Sequence, residues 1–484
     1  MKRKYRRFYL LPENLDYLSL ISNHPRDFRT GRKFKIEDLL TVITLLYEVN
    51  SRKRDVLVTN DFTYLKLKYL RKDVPNAEYY LKYLQEIGVI ECDDTYIIGI
   101  KSKGYKFTNQ YIGTPVKYSL KKVVNDNKAV FEYLGFSQES NKLKHLYKWF
   151  NENLKFNISS ALKEAVASYW QLDGEKLPIF FDDIDFSSTA VIGFNKRSEE
   201  FASPLQKEMF NKLISGVYVP LSTYESGMFW FKVDESGYRL HTNITNLRKS
   251  FRKHITYNGH KLVSFDIKNS QPFFFNVLLS RSFWEKDISS KRIHFSNLRG
   301  NLGTLGGLGI RNLSKHTLTV RTFFETQYST TFELFRNLTL SGSLYEFILE
   351  KHLLETGESL QRDKIKKQLL SLFYDKKRKN RTYEYDIEST LNIHLPGLLN
   401  FCEYFKPKTN YAQFATLLQC IESTVVLRLV TQNIAIKHPK MPLFTIHDSI
   451  ATTENFAPIL GPLIAIEIES VTGFKPIVKE EPWY

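Results

Sequence analysis

The sequence predicts a mixed α+β chain, and three stretches carry that expectation. In residues 261–271, KLVSFDIKNSQ, the β-prone run 262–265 leads into Asp266, followed by short polar residues and an apolar run over 272–279. In residues 441–453, MPLFTIHDSIATT, two β-prone runs flank His447-Asp448-Ser449, which predicts a hairpin with Asp448 in its turn. Residues 361–377, QRDKIKKQLLSLFYDKK, have helical period, with Ile365, Leu369, Leu372 and Phe373 on one apolar face. At 484 residues the chain has room for two or three domains and a sizeable core.

Each stretch places chemistry at a fixed point. A carboxylate at a strand's end is held by a rigid scaffold and still faces a cleft, which suits a metal ligand. An Asp there equally suits capping of the following helix. A tight turn between two buried strands projects Asp448 from a defined position. On the helix, Arg362, Lys366, Leu370 and Tyr374 recur every four residues, a slowly drifting stripe about 18 Å long. Cations at its start and an aromatic at its end suit the phosphates and base of a nucleoside triphosphate. In so basic a chain, Arg and Lys four apart also arise by chance.

In that order, the three stretches resemble the palm and fingers of family A DNA polymerases and the related single-subunit phage-type RNA polymerases. Asp266 matches the strand-end metal-binding Asp. Arg362, Lys366 and Tyr374 match the fingers motif in spacing, with Leu370 at its aromatic-or-Met position and Asp375 in place of its Gly. His447-Asp448 matches the His-Asp hairpin, and Ser449 is closer to the RNA polymerase branch. Upstream, Arg239-Leu240-His241-Thr242 resembles the Arg-x-His-Thr stretch that precedes the first motif, and Trp483 lies where that family often carries a Trp. The resemblance covers about residues 226–484.

The resemblance implies a polymerase right hand. Asp266, Asp448 and the backbone carbonyl of Ile267 would hold two Mg²⁺ about 4 Å apart. Arg362 and Lys366 would grip the triphosphate, Lys366 acting as the proton donor to pyrophosphate. Tyr374 would stack near the templating pair, with Leu370 beside it. Gln271 takes the place where DNA polymerases carry a 2′-excluding Glu and RNA polymerases a Gly. Arg239, His241, His447 and, on the preceding helix, Gln419 would contact primer and template. The implied partners are a DNA template, a primer and nucleoside triphosphates. The implied activity is DNA synthesis without a proofreading exonuclease, for a phage, plasmid or mobile element. RNA polymerase or primase activity is one alternative. A non-catalytic DNA-binding replication or regulatory protein with a polymerase-like core is another, which Asp375 favours weakly.

Composition agrees with a polyanion partner. The formal charge is +17 and the pI near 9.4, an excess that commonly marks nucleic acid as partner. Basic residues mixed with 28 Tyr and 36 Phe suit single strands and unstacked bases, although many of those rings must be core. Cys92, Cys402 and Cys420 are odd in number and show no zinc or disulfide spacing, which points to a reducing cytoplasm. No unbroken apolar run approaches ~18 residues, so no membrane span is expected. The basic start, MKRKYRRFYLL, lacks a signal-peptide core.

Three regions follow. Residues 1–125 read as an α+β unit, with helical spacing over 36–49, a second helix over 61–70, and a third opened by Asn76 and stopped by Gly88. Two β-prone runs joined by an acidic turn come next. Helices followed by a hairpin are the order of a winged helix, with Lys101, Lys103 and Lys106 on the wing near DNA phosphates. An α+β cap, or a protein-binding unit, has the same order. Residues 126–225 read as mainly helical, a thumb by position alone. Asp182, Asp183 and Asp185 read as a solvated acidic loop, since no exonuclease partner motifs accompany them. Residues 226–484 form the core. Within it, Gly300, Gly303, Gly306, Gly307 and Gly309 suggest a mobile fingers loop, and residues 376–381, KKRKNR, a solvated face or a template track.

Overall fold

In the computed structural model, the described residues are 9–12, 14–16, 20, 34–51, 62–67, 70–71, 74–96, 102–111, 115–118, 142–161, 164, 229, 231–234, 237–285, 292–296, 298, 328–376, 385–406 and 411–484. Lys101, the acidic triplet 182–185, the glycine cluster 300–309, residues 377–381 and most of the thumb-like region lie outside them. The architecture is mixed α+β, as expected. The chain divides into two compact units: residues 1–136, 154–230 and 246–256, and residues 137–153, 231–245 and 257–484.

The first unit has two sheets and two main helices. Strand β1 (Tyr9–Pro12) pairs with β5 (Pro115–Tyr118), and β2 (Thr63–Tyr64), β4 (Gly104–Phe107) and β3 (Ile90–Cys92) form a three-stranded antiparallel sheet. Helices α1 (Ile36–Ser51) and α2 (Ala77–Glu86) bury one face each, through Leu39, Leu40, Ile43 and Leu46 and through Tyr80, Leu81 and Leu84. Gly88, at φ +72, turns the chain out of α2 at a conformation where a Cβ would be strained. The helix expected over 61–70 does not begin there. Thr63 and Tyr64 instead pair with Tyr105 and Gly104, so cross-strand pairing overrides the local helical pattern. Asn76 stands at the N-cap of α2, but its side chain makes no capping bond.

The second unit is built around β8 (His260–Ile267), which enters from a tight turn at Asn258 and Gly259, both at positive φ. Its alternation puts Val263, Phe265 and Ile267 on one face and Leu262, Ser264 and Asp266 on the other. Both its edges are filled. Strand β10 (Ser449–Thr453) pairs antiparallel along one, with Asp266 opposite Ser449. Strand β11 (Val478–Pro482) pairs along the other, with Ser264 opposite Glu481 and Asp266 opposite Lys479. Trp483 anchors β11, donating its indole N–H to Ser264 Oγ at 3.0 Å. Helix α11 (Ala457–Thr472) covers the Phe265 face at Gly461, where a Cβ would meet the Phe265 ring at 2.8 Å.

The helices of this unit share an aromatic core. Helix α3 (Ser270–Leu278) follows β8 and inserts Phe275 against Phe335, Phe373, Phe401 and Phe414, with ring centroids 5.2–5.7 Å apart. Phe335 comes from α4 (Ser329–Leu340), Phe373 from α6 (Arg362–Tyr374), Phe401 from α8 (Leu398–Tyr404) and Phe414 from α9 (Gln413–Ser423). Helix α5 (Leu344–Thr356) packs beside α6 and α7 (Ile387–His394). The expected apolar face of α6 is buried at Ile365, Leu369, Leu372 and Phe373.

Helix α9 continues through a π-helical stretch, Thr424–Val430, into α10 (Thr431–Lys437). Together Gln413–Lys437 make 25 residues, long and apolar enough by composition to cross a membrane. Its most apolar window is 78% buried inside the fold, the setting of a core helix.

Candidate functional site

The expected carboxylate hairpin forms. Strand β9 (Phe444–Ile446) pairs with β10, and Ile446 faces Ser449 across a two-residue turn of His447 and Asp448. His447 sits at φ +56, a left-handed conformation that a bulky side chain adopts at a cost. The register puts Asp448 one residue from Ser449, and Ser449 lies directly across from Asp266. Asp266 and Asp448, 182 positions apart in the sequence, thereby meet at one end of the sheet.

The electrostatics of Asp266 follow from that meeting. Burial pushes its carboxyl above the ordinary value, and the negative charges of Asp448 and Glu481 push it further. A hydrogen bond with Ser449 opposes them without prevailing. Glu481 belongs here because it pairs with Ser264, two residues before Asp266 on the same face of β8. The sheet therefore places Asp266 near two other carboxylates, Asp448 and Glu481.

A second cluster adjoins the first. Strands β6 (Phe231–Val233) and β7 (Leu240–Thr242) form a hairpin whose turn is tied by Asp234, which accepts N–H bonds from Gly237 at 2.7 Å and Tyr238 at 3.0 Å. Arg239, just before β7, donates from Nε to Glu422 Oε1 at 2.9 Å and from Nη2 to Oε2 at 3.0 Å. Gln271 donates its amide to the same carboxylate. The Glu422 side chain is only 1% exposed. Burial pushes its carboxyl up to about 7, with Asp448 adding to the rise and Arg239 and Gln271 resisting it. Tyr374 is joined electrostatically to Arg239, Glu422 and Asp448, and burial holds its hydroxyl well above the usual range.

The α6 stripe is present on the helix. Arg362 and Lys366 are exposed, and Leu370 and Tyr374 half-buried. Arg362 donates to Glu346 Oε1 at 2.7 Å and lies over the Tyr345 ring at 5.0 Å. Among the described residues no carboxylate pairs with Lys366. Asp375 ends the helix: its N–H bonds to Ser371, and its carboxylate accepts bonds from the Lys376 N–H and the Tyr385 hydroxyl.

The other expected residues lie as follows. His241 bonds Asp234 Oδ2 at 3.1 Å, and its ring lies 6.0 Å from that of His447. Ile267 pairs with Val478 of β11. Gln419 is half-buried and packs on Gly237, where a Cβ would come within 2.6 Å of its Oε1. Gln271 is 8% exposed, so most of its bulk lies within the protein. In the first unit, Lys103 pairs with Asp94 at 2.9 Å, and Lys106 pairs with Glu91 at 3.1 Å and lies over the Phe62 ring at 5.0 Å.

Sequence reasoning missed Glu422, Glu481 and Glu346. Glu422 did leave a signal, as the lone carboxylate in the apolar run over 414–427. Among the described residues no group of three or more His, Cys, Asp or Glu side chains is close enough to hold a metal by itself. Asp266 and Asp448 offer oxygen donors only. That donor set fits magnesium, which takes one or two carboxylates and fills its remaining positions with water and substrate phosphates. No protein-family model matches the chain, and no curated protein matches it.

Proposed function

We propose that this chain is a template-directed nucleotidyltransferase, a DNA polymerase of the family A kind, acting with two Mg²⁺. The observation that carries the reading is the meeting of Asp266 and Asp448 at one sheet end, beside a helix that presents Arg362, Lys366 and Tyr374 in sequence. Mg²⁺ bound there would supply charge neutralisation for the phosphates and for an ionising primer hydroxyl. Asp266 and Asp448 hold the cations, and the rigid sheet fixes their spacing. Arg362 and Lys366 bind the triphosphate, and Lys366 gives a proton to the departing pyrophosphate. Tyr374, at the end of the stripe, packs against the new base pair. In this reading Arg239, His241, His447 and Gln419, which lies one turn before Glu422, contact the primer and template.

The first unit serves as a winged-helix-like DNA-binding head, supported by its helices, its β3–β4 hairpin and the lysines on it. A replicative role for a phage, plasmid or mobile element in a cytoplasm fits these parts.

One observation favours RNA synthesis as a second reading. Gln271 is drawn to Glu422 and buried, so its bulk is not spent at the sugar. Primer extension by the purified full-length protein, with deoxynucleotides and ribonucleotides in parallel, tests both readings. Extension with Mg²⁺, abolished by Asp448→Asn while DNA binding persists, is the expected result. Wild-type protein that extends no primer under either condition returns the chain to the non-catalytic class.

A further inference from the structure

Lys268 stands two residues beyond Asp266, past the end of β8, and is exposed. Its side chain runs over Gly342, at φ +73, where a Cβ would come within 2.6 Å of its Nζ. Gly342 precedes α5, which carries Tyr345 and Glu346. Glu346 takes the hydrogen bond from Arg362, and Tyr345, 1% exposed, supports the same guanidinium from below. Burial raises the Glu346 carboxyl, but the bond and charge of Arg362, together with the charge of Lys268, bring it below its ordinary value. Glu346 thus draws on two cations, one beside the carboxylate strand and one at the start of the cationic helix. Lys268 closes no ion pair among the described residues, so its ammonium stays available to an incoming anion.

We infer that Lys268 is a further phosphate-binding residue, completing with Arg362 and Lys366 a site for a polyphosphate chain; its role in nucleotide addition rests on the function proposed above. Gly342 has the left-handed φ that ends α4, and its bare backbone also leaves the room that the Lys268 side chain occupies, where a Cβ would press on the ammonium.

The test is direct binding of inorganic tripolyphosphate with Mg²⁺ to the full-length protein by calorimetry, readable whether or not the chain extends a primer. Lys268→Met should weaken binding ~10-fold, the loss of one charge-assisted contact, and Lys268→Arg should restore most of it. Gly342→Ala should weaken binding in the wild type and add nothing in the Lys268→Met background. Unchanged affinity in Lys268→Met, or additive effects of the two changes, overturns the inference. In primer extension, Lys268→Met should raise the nucleotide KM by a similar factor with kcat within about twofold. If tripolyphosphate binding depends on Lys268 but the wild type extends no primer, the anion site stands and the polymerase reading falls.

Discussion

Arg239 and Glu422, 183 residues apart in sequence, meet in a two-pronged ion pair inside the fold, with Gln271 as a third partner on the same carboxylate. Arg239 keeps 23% of its side chain exposed, and Glu422 almost none. Removing one member of such a pair leaves the other charge buried without a partner. Glu422→Ala should therefore destabilise the second unit by about 3 kcal/mol in urea unfolding. Glu422→Gln, which keeps a hydrogen-bonding partner for Gln271, should cost less.

Glu422 binds its proton more tightly in the folded chain than in the unfolded one, its carboxyl standing at about 7 against an ordinary 4.5. Its contribution to folding is thus complete below about pH 4.5 and is lost as pH climbs towards about 7. Unfolding free energies measured across that window should show a downward slope, and Glu422→Gln should flatten it. A slope that survives in the mutant assigns the effect elsewhere. Asp266, also raised, adds in the same direction.

Asp266 stands among like charges, so neutralising it should relieve strain. Asp266→Asn should raise the unfolding free energy by on the order of 1 kcal/mol without Mg²⁺ and at the same time abolish primer extension. Loss of stability in this variant would mean that the carboxylate gains more from its hydrogen bond with Ser449 than burial and its acidic neighbours cost it.

Phe275 joins α3 to four other helices and is fully buried. Phe275→Ala should cost about 3–5 kcal/mol, as for other large aromatic truncations, and should loosen α6 against α3 and α9. Calorimetric unfolding and protease sensitivity of the second unit read both effects.

Lys103 and Lys106 are each matched to a carboxylate, so the charge of this hairpin is partly neutralised within the first unit. Asp94→Asn and Glu91→Gln should strengthen duplex DNA binding at low salt, with the slope of log affinity against log salt growing by up to about one for each lysine released. Unaltered salt dependence in both variants counts against phosphate contacts by this hairpin.

What could be read in the sequence was what local pattern determines. Asp266, Asp448, Arg362 and Tyr374 each sit in a short stretch whose period and turn chemistry already place them. Glu481 reaches Asp266 only through the register of β11, and Glu422 reaches Arg239 only through the packing of α9 on the β6–β7 hairpin. Neither relation has a local signature. On that helix the family resemblance singles out Gln419 as a contact to primer and template. One turn later, Glu422 holds the buried position, and Gln419 fills the hollow at Gly237. At Thr63-Tyr64 the same cause worked in reverse, a distant strand claiming residues whose own pattern was helical.

The pairing of β8 along both edges also constrains how the protein is made. Ser264 and its partners on or just past β11 are separated by as many as 219 residues, so a ribosome finishes the strand that bears Asp266 long before β10 or β11 exists. At about 5–20 residues per second, the stretch from Val263 to Asp266 waits on the order of ten seconds with backbone N–H and C=O groups unpaired on the sides that β10 and β11 will fill. Such a strand is prone to pair with other nascent chains. Slower translation through the intervening helices would lengthen that exposure, and yield of native protein should depend on how well chaperones cover it.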